Sequence, residues 1–193
     1  MKRRSIISIF AATLFASACL TAYAQRDVRF TGTAVIYGSG FSTRTITRQF
    51  TLTVRGRTSD NESAAFLDVL QSGGQDSLMR QIDSKNLGRF SFTGNVGEPL
   101  NAVFVDEAGN DIRVRAIFRR WVGFGEIRRG LRSTDYPFGY VEIRVDRATG
   151  RGEGTIFPAA RLRARSGNTV EIEDFGTFPG RLMGVRMEGR LAT

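Results

Sequence analysis

The chain has 193 residues and a formal net charge of +9 at pH 7, with 28 lysines and arginines against 19 acidic residues and no histidine. The missing histidine excludes Ser-His-Asp and Cys-His catalysis. With a single cysteine, Cys19, the sequence also has no CxxC redox pair and lacks the usual ligands of zinc, copper and haem iron. It contains no P-loop and no dinucleotide-binding fingerprint, and we predict no cofactor and no metal site.

The N-terminus predicts a secretory signal peptide over residues 1–24. A basic cluster at residues 2–4 precedes an apolar run at 5–16, and Ala22 and Ala24 form an A-x-A cleavage pattern. The apolar run is shorter than the ~20 residues that span a bilayer, which argues against a retained anchor. We therefore expect export to the periplasm or the cell exterior, with no transmembrane span after cleavage.

Cys19 offers a second route of export. It ends a string that loosely resembles a bacterial lipobox, in which the cysteine is lipidated, but Ala16 stands where leucine is usual. We favour cleavage after Ala24, which leaves residues 25–193 as a single domain without a thiol. That domain keeps 25 basic and 19 acidic residues, a net charge of +6, and all but Lys85 of the basic residues are arginine.

Alternation of apolar and polar residues predicts a mainly β, antiparallel domain. In the first two strands the inward positions are Val28, Phe30, Ala34, Ile36, Ile46, Phe50, Leu52 and Val54. Further strands are predicted at 89–93, 101–106, 111–121, 140–146, 153–165, 169–175 and 181–187. About nine strands joined mainly by hairpins are typical of an antiparallel β-barrel or β-sandwich.

A short two-helix insert is predicted at about residues 60–86. Ser59 and Glu62 match the S-x-x-E capping box that begins a helix. Gly73 and Gly74 are expected to end the first helix and separate it from a second one. We expect this insert to cover one mouth or one edge of the sheet.

Arginine spacing gives the candidate ligand-binding residues. Arg113 and Arg115 share one face of a predicted strand, and Arg161, Arg163 and Arg165 share one face of another. If the two strands are neighbours, the arginines form a basic surface suited to lipid headgroups or an anionic glycan. The alternative is a set of cross-strand ion pairs with Glu171 and Glu173. Two further candidates, Trp121 and Arg128, lie in or beside the glycine-rich loop 122–139.

Carboxylates are the remaining candidates for catalysis, because a glycosidase mechanism needs only two acids at a defined separation. Glu126, Asp135 and Asp174 are the acids to consider, and Asp174 continues the apolar register of its strand. The acidic turn 106–111 has the oxygen ligands that calcium prefers. Asn, Asp and Gly also favour tight turns for conformational reasons, and we favour that explanation here.

Four strings resemble a group of exported bacterial β-rich proteins for which no activity is known. They lie at residues 32–40, 73–76, 135–139 and 178–185. The resemblance spans most of the mature chain, and it implies export and a shared fold without implying a function.

Three hypotheses follow. The first is an exported, non-enzymatic binding or interaction protein of the bacterial cell envelope, with an apolar or anionic ligand or an envelope protein as its partner. A barrel of about eight strands can hold one small ligand, whereas an interior filled by side chains would exclude a carrier of that kind. The second is a carboxylate-dependent hydrolase acting on envelope glycan. The third hypothesis is a purely structural envelope component. We expect no nucleic-acid partner, and the sequence leaves the oligomeric state open.

Overall fold

Ten antiparallel strands form one sheet in the described part of the chain, which comprises residues 27–37, 45–120, 132–166, 169–176 and 178–189 of a computed structural model. The strands are β1 (Val28–Ile36), β2 (Ile46–Val54), β3 (Gly88–Phe92), β4 (Glu98–Pro99), β5 (Ala102–Ala108), β6 (Asp111–Arg119), β7 (Phe138–Asp146), β8 (Arg151–Arg165), β9 (Thr169–Asp174) and β10 (Gly180–Glu188). The mainly β class predicted from alternation is confirmed.

Most neighbouring strands of the sheet are also consecutive in the chain, and the exception in the main order is β10, which lies between β1 and β8. Its strands are arranged β4-β3-β2-β1-β10-β8-β7-β6-β5, and β9 pairs with β8 beside this path. The two ends of the order, β4 and β5, are separated in sequence only by Leu100 and Asn101. The Leu100 N–H donates to the Gly88 carbonyl at 3.0 Å, and the Asn101 N–H donates to the Ile117 carbonyl at 2.9 Å. One short segment therefore bonds to both ends of a strongly curled sheet.

Side chains fill the concave side of this sheet. Six of the eight inward residues predicted for β1 and β2, among them Phe30, Phe50 and Leu52, are buried there. Ile36 is only partly buried, and Ile46, at the start of β2, is 43% exposed, so the prediction is wrong for Ile46. Aromatic rings continue the packing, since Phe90 stacks on Phe50 at 5.9 Å and on Phe118 at 5.4 Å between ring centroids. Burial of these large side chains is the main source of stability in such a sheet.

The helical insert is α1 (Asp60–Ile82), which is interrupted by a kink at Gly74, where φ is 70° and ψ is −173°, outside the helical region. The predicted capping box is present, because the Glu62 N–H donates to Ser59 Oγ and the Glu62 carboxylate accepts from the Ser59 N–H at 2.9 Å. The helical conformation is thus interrupted at Gly74, one of the two glycines predicted to lie between two helices. Among the described residues, no helix combines the length and apolar composition needed to cross a membrane.

The position of α1 differs from the expectation that it covers a mouth or an edge. Its buried residues Phe66, Leu70, Leu78 and Ile82 pack on the outer, convex face of the sheet. The reason is that the outer face carries its own apolar residues, which are Ala102, Ile117, Phe138, Tyr140, Ala160 and Leu162. The sheet is therefore apolar on the inside and, in one region, on the outside as well.

Asn101 fixes the helix to the junction of β4 and β5. It is 1% exposed, and no other polar side chain in the described residues is as fully buried. Its Nδ2 donates to the Lys85 carbonyl at 3.1 Å and to the Asp83 carbonyl at 3.4 Å, just beyond the end of α1. Its Oδ1 accepts from the Arg119 N–H at 2.7 Å, at the end of β6. One amide thus joins three elements.

We predict that Asn101→Ala lowers the free energy of unfolding by about 2–3 kcal/mol, because the change leaves buried backbone groups without partners. Chemical denaturation followed by circular dichroism measures the effect. Asn95→Ala is the matched control, since Asn95 is exposed and its replacement should cost no more than about 0.5 kcal/mol. Equal losses in the two variants would contradict the role of Asn101 as the junction.

Candidate functional site

The candidate arginines do not form one continuous basic surface. Arg113 and Arg115 lie on β6, while Arg161 and Arg163 lie on β8, and β7 separates the two strands. Arg161 and Arg163 belong to the far end of β8, which pairs with β9 and not with β7. The two sets therefore occupy different regions of the surface.

Ion pairs occupy most of these arginines. Arg113 donates to Glu142 from Nε at 3.0 Å and from Nη2 at 3.1 Å, and Arg115 Nη2 donates to Asp106 at 2.7 Å. The two hydrogen bonds from Arg113 make its ion pair with Glu142 bidentate, which is the stronger geometry for an arginine–carboxylate pair.

The cross-strand pairs expected on the β8–β9 hairpin form along diagonals of the register. Arg163 pairs with Glu173 at 3.2 Å, and Arg165 pairs with Glu171. Arg161 lies directly opposite Glu173 in the register, and the Glu173 carboxylate also accepts from the Tyr136 hydroxyl. This hairpin surface is therefore an ordinary ion-paired one, and pairs of this exposure contribute little to stability.

Three of the candidate residues lie outside the described residues. They are Trp121, Glu126 and Arg128. Their predicted roles stay predictions.

Asp135 and Asp174 lie on neighbouring segments but in different environments. Asp135 is exposed in a short 3-10 helix at Arg132–Asp135. Asp174 is half-buried, its Oδ1 accepts from the Gly176 N–H at 3.1 Å, and its Oδ2 is buried without a hydrogen-bond partner among the described residues. Burial raises the pKa of Asp174 above its usual value, against the lowering effect of the backbone N–H groups of Gly176 and Phe175.

The acidic turn 106–111 uses its carboxylates for ion pairs. Asp106 pairs with Arg115, and Glu107 pairs with Arg147. The described residues contain no cluster of three or more acidic side chains arranged to hold a metal ion.

An apolar pocket of about 410 Å³ lies between α1 and the outer face of the sheet. The helix supplies Phe66, Leu70 and Leu78 to its walls, and the sheet supplies Ile117, Tyr140 and Leu162. These residues come from elements far apart in sequence, because β6, β7 and β8 are consecutive in the sheet and α1 crosses over them. This pocket is the site that spacing along the chain does not predict.

One candidate residue, Arg115, lines this pocket. Its side chain is 35% exposed, and its Nε–H is buried with no hydrogen-bond acceptor among the described residues. The guanidinium lies 5.7 Å from the centroid of the Phe104 ring, which also lines the pocket. The pocket thus joins apolar walls to one cationic group.

Tyr140 faces the pocket, but its hydroxyl is committed elsewhere. It donates to Glu142 Oε2 at 2.8 Å, and burial followed by this hydrogen bond raises the Tyr140 pKa. Burial also raises the pKa of Glu142, but hydrogen bonds from Arg113, Tyr140 and Arg144 outweigh it and leave that pKa below its usual value. Hydrogen bonds through Glu142 thus hold Tyr140, which lines the pocket, in place.

Asp174→Asn should reveal the raised pKa of Asp174. A carboxyl with a raised pKa binds its proton more tightly in the folded chain, so the wild type loses stability as pH rises above the ordinary aspartate value of about 3.9. The amide does not titrate. The difference in Tm, variant minus wild type, should therefore become more positive between pH 3 and pH 7 in thermal melts.

Glu142→Gln provides the comparison of opposite sign. A lowered pKa stabilises the folded chain above the unfolded value of about 4.3, and this contribution is lost as pH falls through the folded value. The variant should therefore be more destabilised at pH 7 than at pH 3. An offset that does not change with pH in Asp174→Asn would contradict the first expectation, and the same result in Glu142→Gln would contradict the second.

Comparison of the chain with protein-family models, with curated proteins and with solved structures finds no match.

Proposed function

We propose that this chain is an exported, non-enzymatic binding protein of the cell envelope, which holds a small and mainly apolar ligand in the pocket between α1 and the sheet. The pocket is the observation that carries the proposal. Its volume of about 410 Å³ falls in the range of roughly 300–1,000 Å³ that is typical of small-molecule sites. Apolar walls with a few convergent polar groups are also typical of such sites.

The location of the pocket follows from how the sheet is filled. Phe30, Phe50 and Leu52 occupy the concave side, so a ligand has its space outside the sheet. We also propose that the sheet is a closed barrel. The hydrogen bonds of Leu100 to Gly88 and of Asn101 to Ile117 support closure, because they connect the two ends of the strand order. The interior of the barrel would then be a packed core, as in other small barrels.

The glycan hydrolase is the less supported alternative. It needs two acids in one cleft, roughly 5–10 Å apart. Asp135 is exposed, and neither Asp135 nor Asp174 lines the pocket between α1 and the sheet. The unpartnered oxygen of Asp174 is equally explained by a neutral carboxyl in a half-buried strand end.

Native mass spectrometry of the protein, purified gently from its own host envelope, tests the proposal. We expect a mass excess that disappears on denaturation, because a ligand in an apolar pocket is held without a covalent bond. The denatured mass reports at the same time whether the chain is cleaved after Ala24. A bare protein mass would argue against a carrier that retains its ligand.

A blocking variant places the ligand. Ala64 is exposed on α1 and lines the pocket, so Ala64→Trp should reduce the mass excess at least severalfold by filling the opening. Gln71→Trp is the matched control, because Gln71 is exposed on the same helix and does not line the pocket. Equal ligand retention in both variants would place the ligand elsewhere and overturn the assignment to this pocket.

A further inference from the structure

Arg115 lies where the apolar pocket meets a polar recess. The recess has a volume of about 550 Å³, and it shares Ser63, Phe104 and Arg115 with the pocket. Its other lining residues include Arg57, Ser59, Asp60 and Asp106. An apolar cavity that shares part of its wall with a polar one matches a ligand with an apolar body and one polar end.

The hydrogen bonds of Arg115 are incomplete in a way that those of its neighbour are not. Arg113, two residues earlier on the same face, donates to Glu142 from both Nε and Nη2. Arg115 donates to Asp106 from Nη2, while its Nε–H has no acceptor in the described part of the chain. Leaving a buried donor without a partner is unfavourable, so an acceptor brought by a ligand is favoured there.

The Nε atom is covered by its neighbours, but 35% of the Arg115 side chain is exposed. Contact between a ligand oxygen and this donor therefore requires the guanidinium to turn toward the pocket. Arginine donates to an oxygen acceptor and cannot accept a hydrogen bond itself.

Selectivity at the recess depends on this donor more than on net charge. Arg57 and Arg115 are balanced there by Asp60 and Asp106. The polar end of the ligand is therefore recognised as a hydrogen-bond acceptor, either a carboxylate or an uncharged carbonyl. A cationic end group cannot accept a hydrogen bond from a guanidinium.

We infer that the ligand is an acyl-chain compound whose hydrocarbon chain lies between α1 and the sheet and whose carboxyl or carbonyl oxygen accepts a hydrogen bond from Arg115. This inference rests on the proposed function of the same pocket and adds the chemical class of the ligand. A free fatty acid and the acyl ester of a lipid share this chemistry.

Displacement of the fluorescent, uncharged probe N-phenyl-1-naphthylamine tests the inference. The competitors are laurate, its glycerol monoester and dodecyltrimethylammonium, which have matched chains and different ends. We expect laurate to displace the probe at a concentration at least about tenfold lower than dodecyltrimethylammonium, as one charge-assisted hydrogen bond allows. Displacement by laurate alone identifies a carboxylate ligand, and displacement by both oxygen-bearing compounds identifies an acyl group in general. Either result supports the inference.

Arg115→Gln should weaken laurate binding at least about tenfold. Arg119→Gln is the matched control, because Arg119 lies on the same face of β6, pairs with Asp83 and does not line the pocket, and it should change the affinity by less than about twofold. Asp106→Asn should increase the affinity for laurate, an effect that misfolding cannot produce. Removing the carboxylate that engages Arg115 should tighten laurate binding severalfold.

Two results would overturn the inference. The first is laurate binding that is unchanged in both Arg115→Gln and Asp106→Asn, and the second is equal displacement by dodecyltrimethylammonium and laurate. In either case the pocket would still bind apolar ligands, and only the assigned class would fail. If the probe itself fails to bind, or binds Ala64→Trp as well as the wild type, the proposed function of the pocket fails too.

Discussion

The buried amide of Asn101 is the contact on which the arrangement of helix and sheet depends. It bonds to the carbonyls of Asp83 and Lys85 beyond α1 and to the Arg119 N–H at the end of β6. A buried amide is stable only when its hydrogen-bond partners are in place, so this one favours the observed arrangement of the three elements. The C-terminal end of α1 is thereby held against the outer face of β6, and the capping box at Ser59 fixes where the helix begins.

A helix fixed in this way leaves a space that its own side chains do not fill. The kink at Gly74 changes the direction of α1 along the sheet. Phe66 and Leu70 lie before the kink and Leu78 after it, and all three line the pocket. An apolar cavity loses packing contacts along its walls, which disfavours leaving it empty. The pocket is therefore a consequence of the same contacts that stabilise the fold.

Ion pairing on the outer face distinguishes Arg115 from the other arginines there. Arg113 is held by Glu142, and Arg163 and Arg165 are held by the glutamates of β9. Arg115 is held at one nitrogen only and lies beside the pocket. Composition alone makes all of these arginines equivalent. Their register opposite acidic residues distinguishes them, since a cross-strand carboxylate consumes the donors that a ligand would otherwise use.

Periodicity and contacts between near neighbours are enough to predict the mainly β class, six of the eight inward positions of β1 and β2, most strand positions and the capping box. Arg115 was predicted as one of six candidate ligand-binding residues, with nothing to separate it from the other five. Ile117, Phe138 and Tyr140, which lie on that same outer face, were the signal that something covers it, but alternation does not identify the cover. Three features follow from the tertiary structure and not from the sequence pattern: α1 lies on the convex face, β7 separates the two arginine sets, and a pocket lies under the helix. Each of these depends on which distant strands become neighbours, and that is set by long-range packing and hydrogen bonds such as those of Asn101.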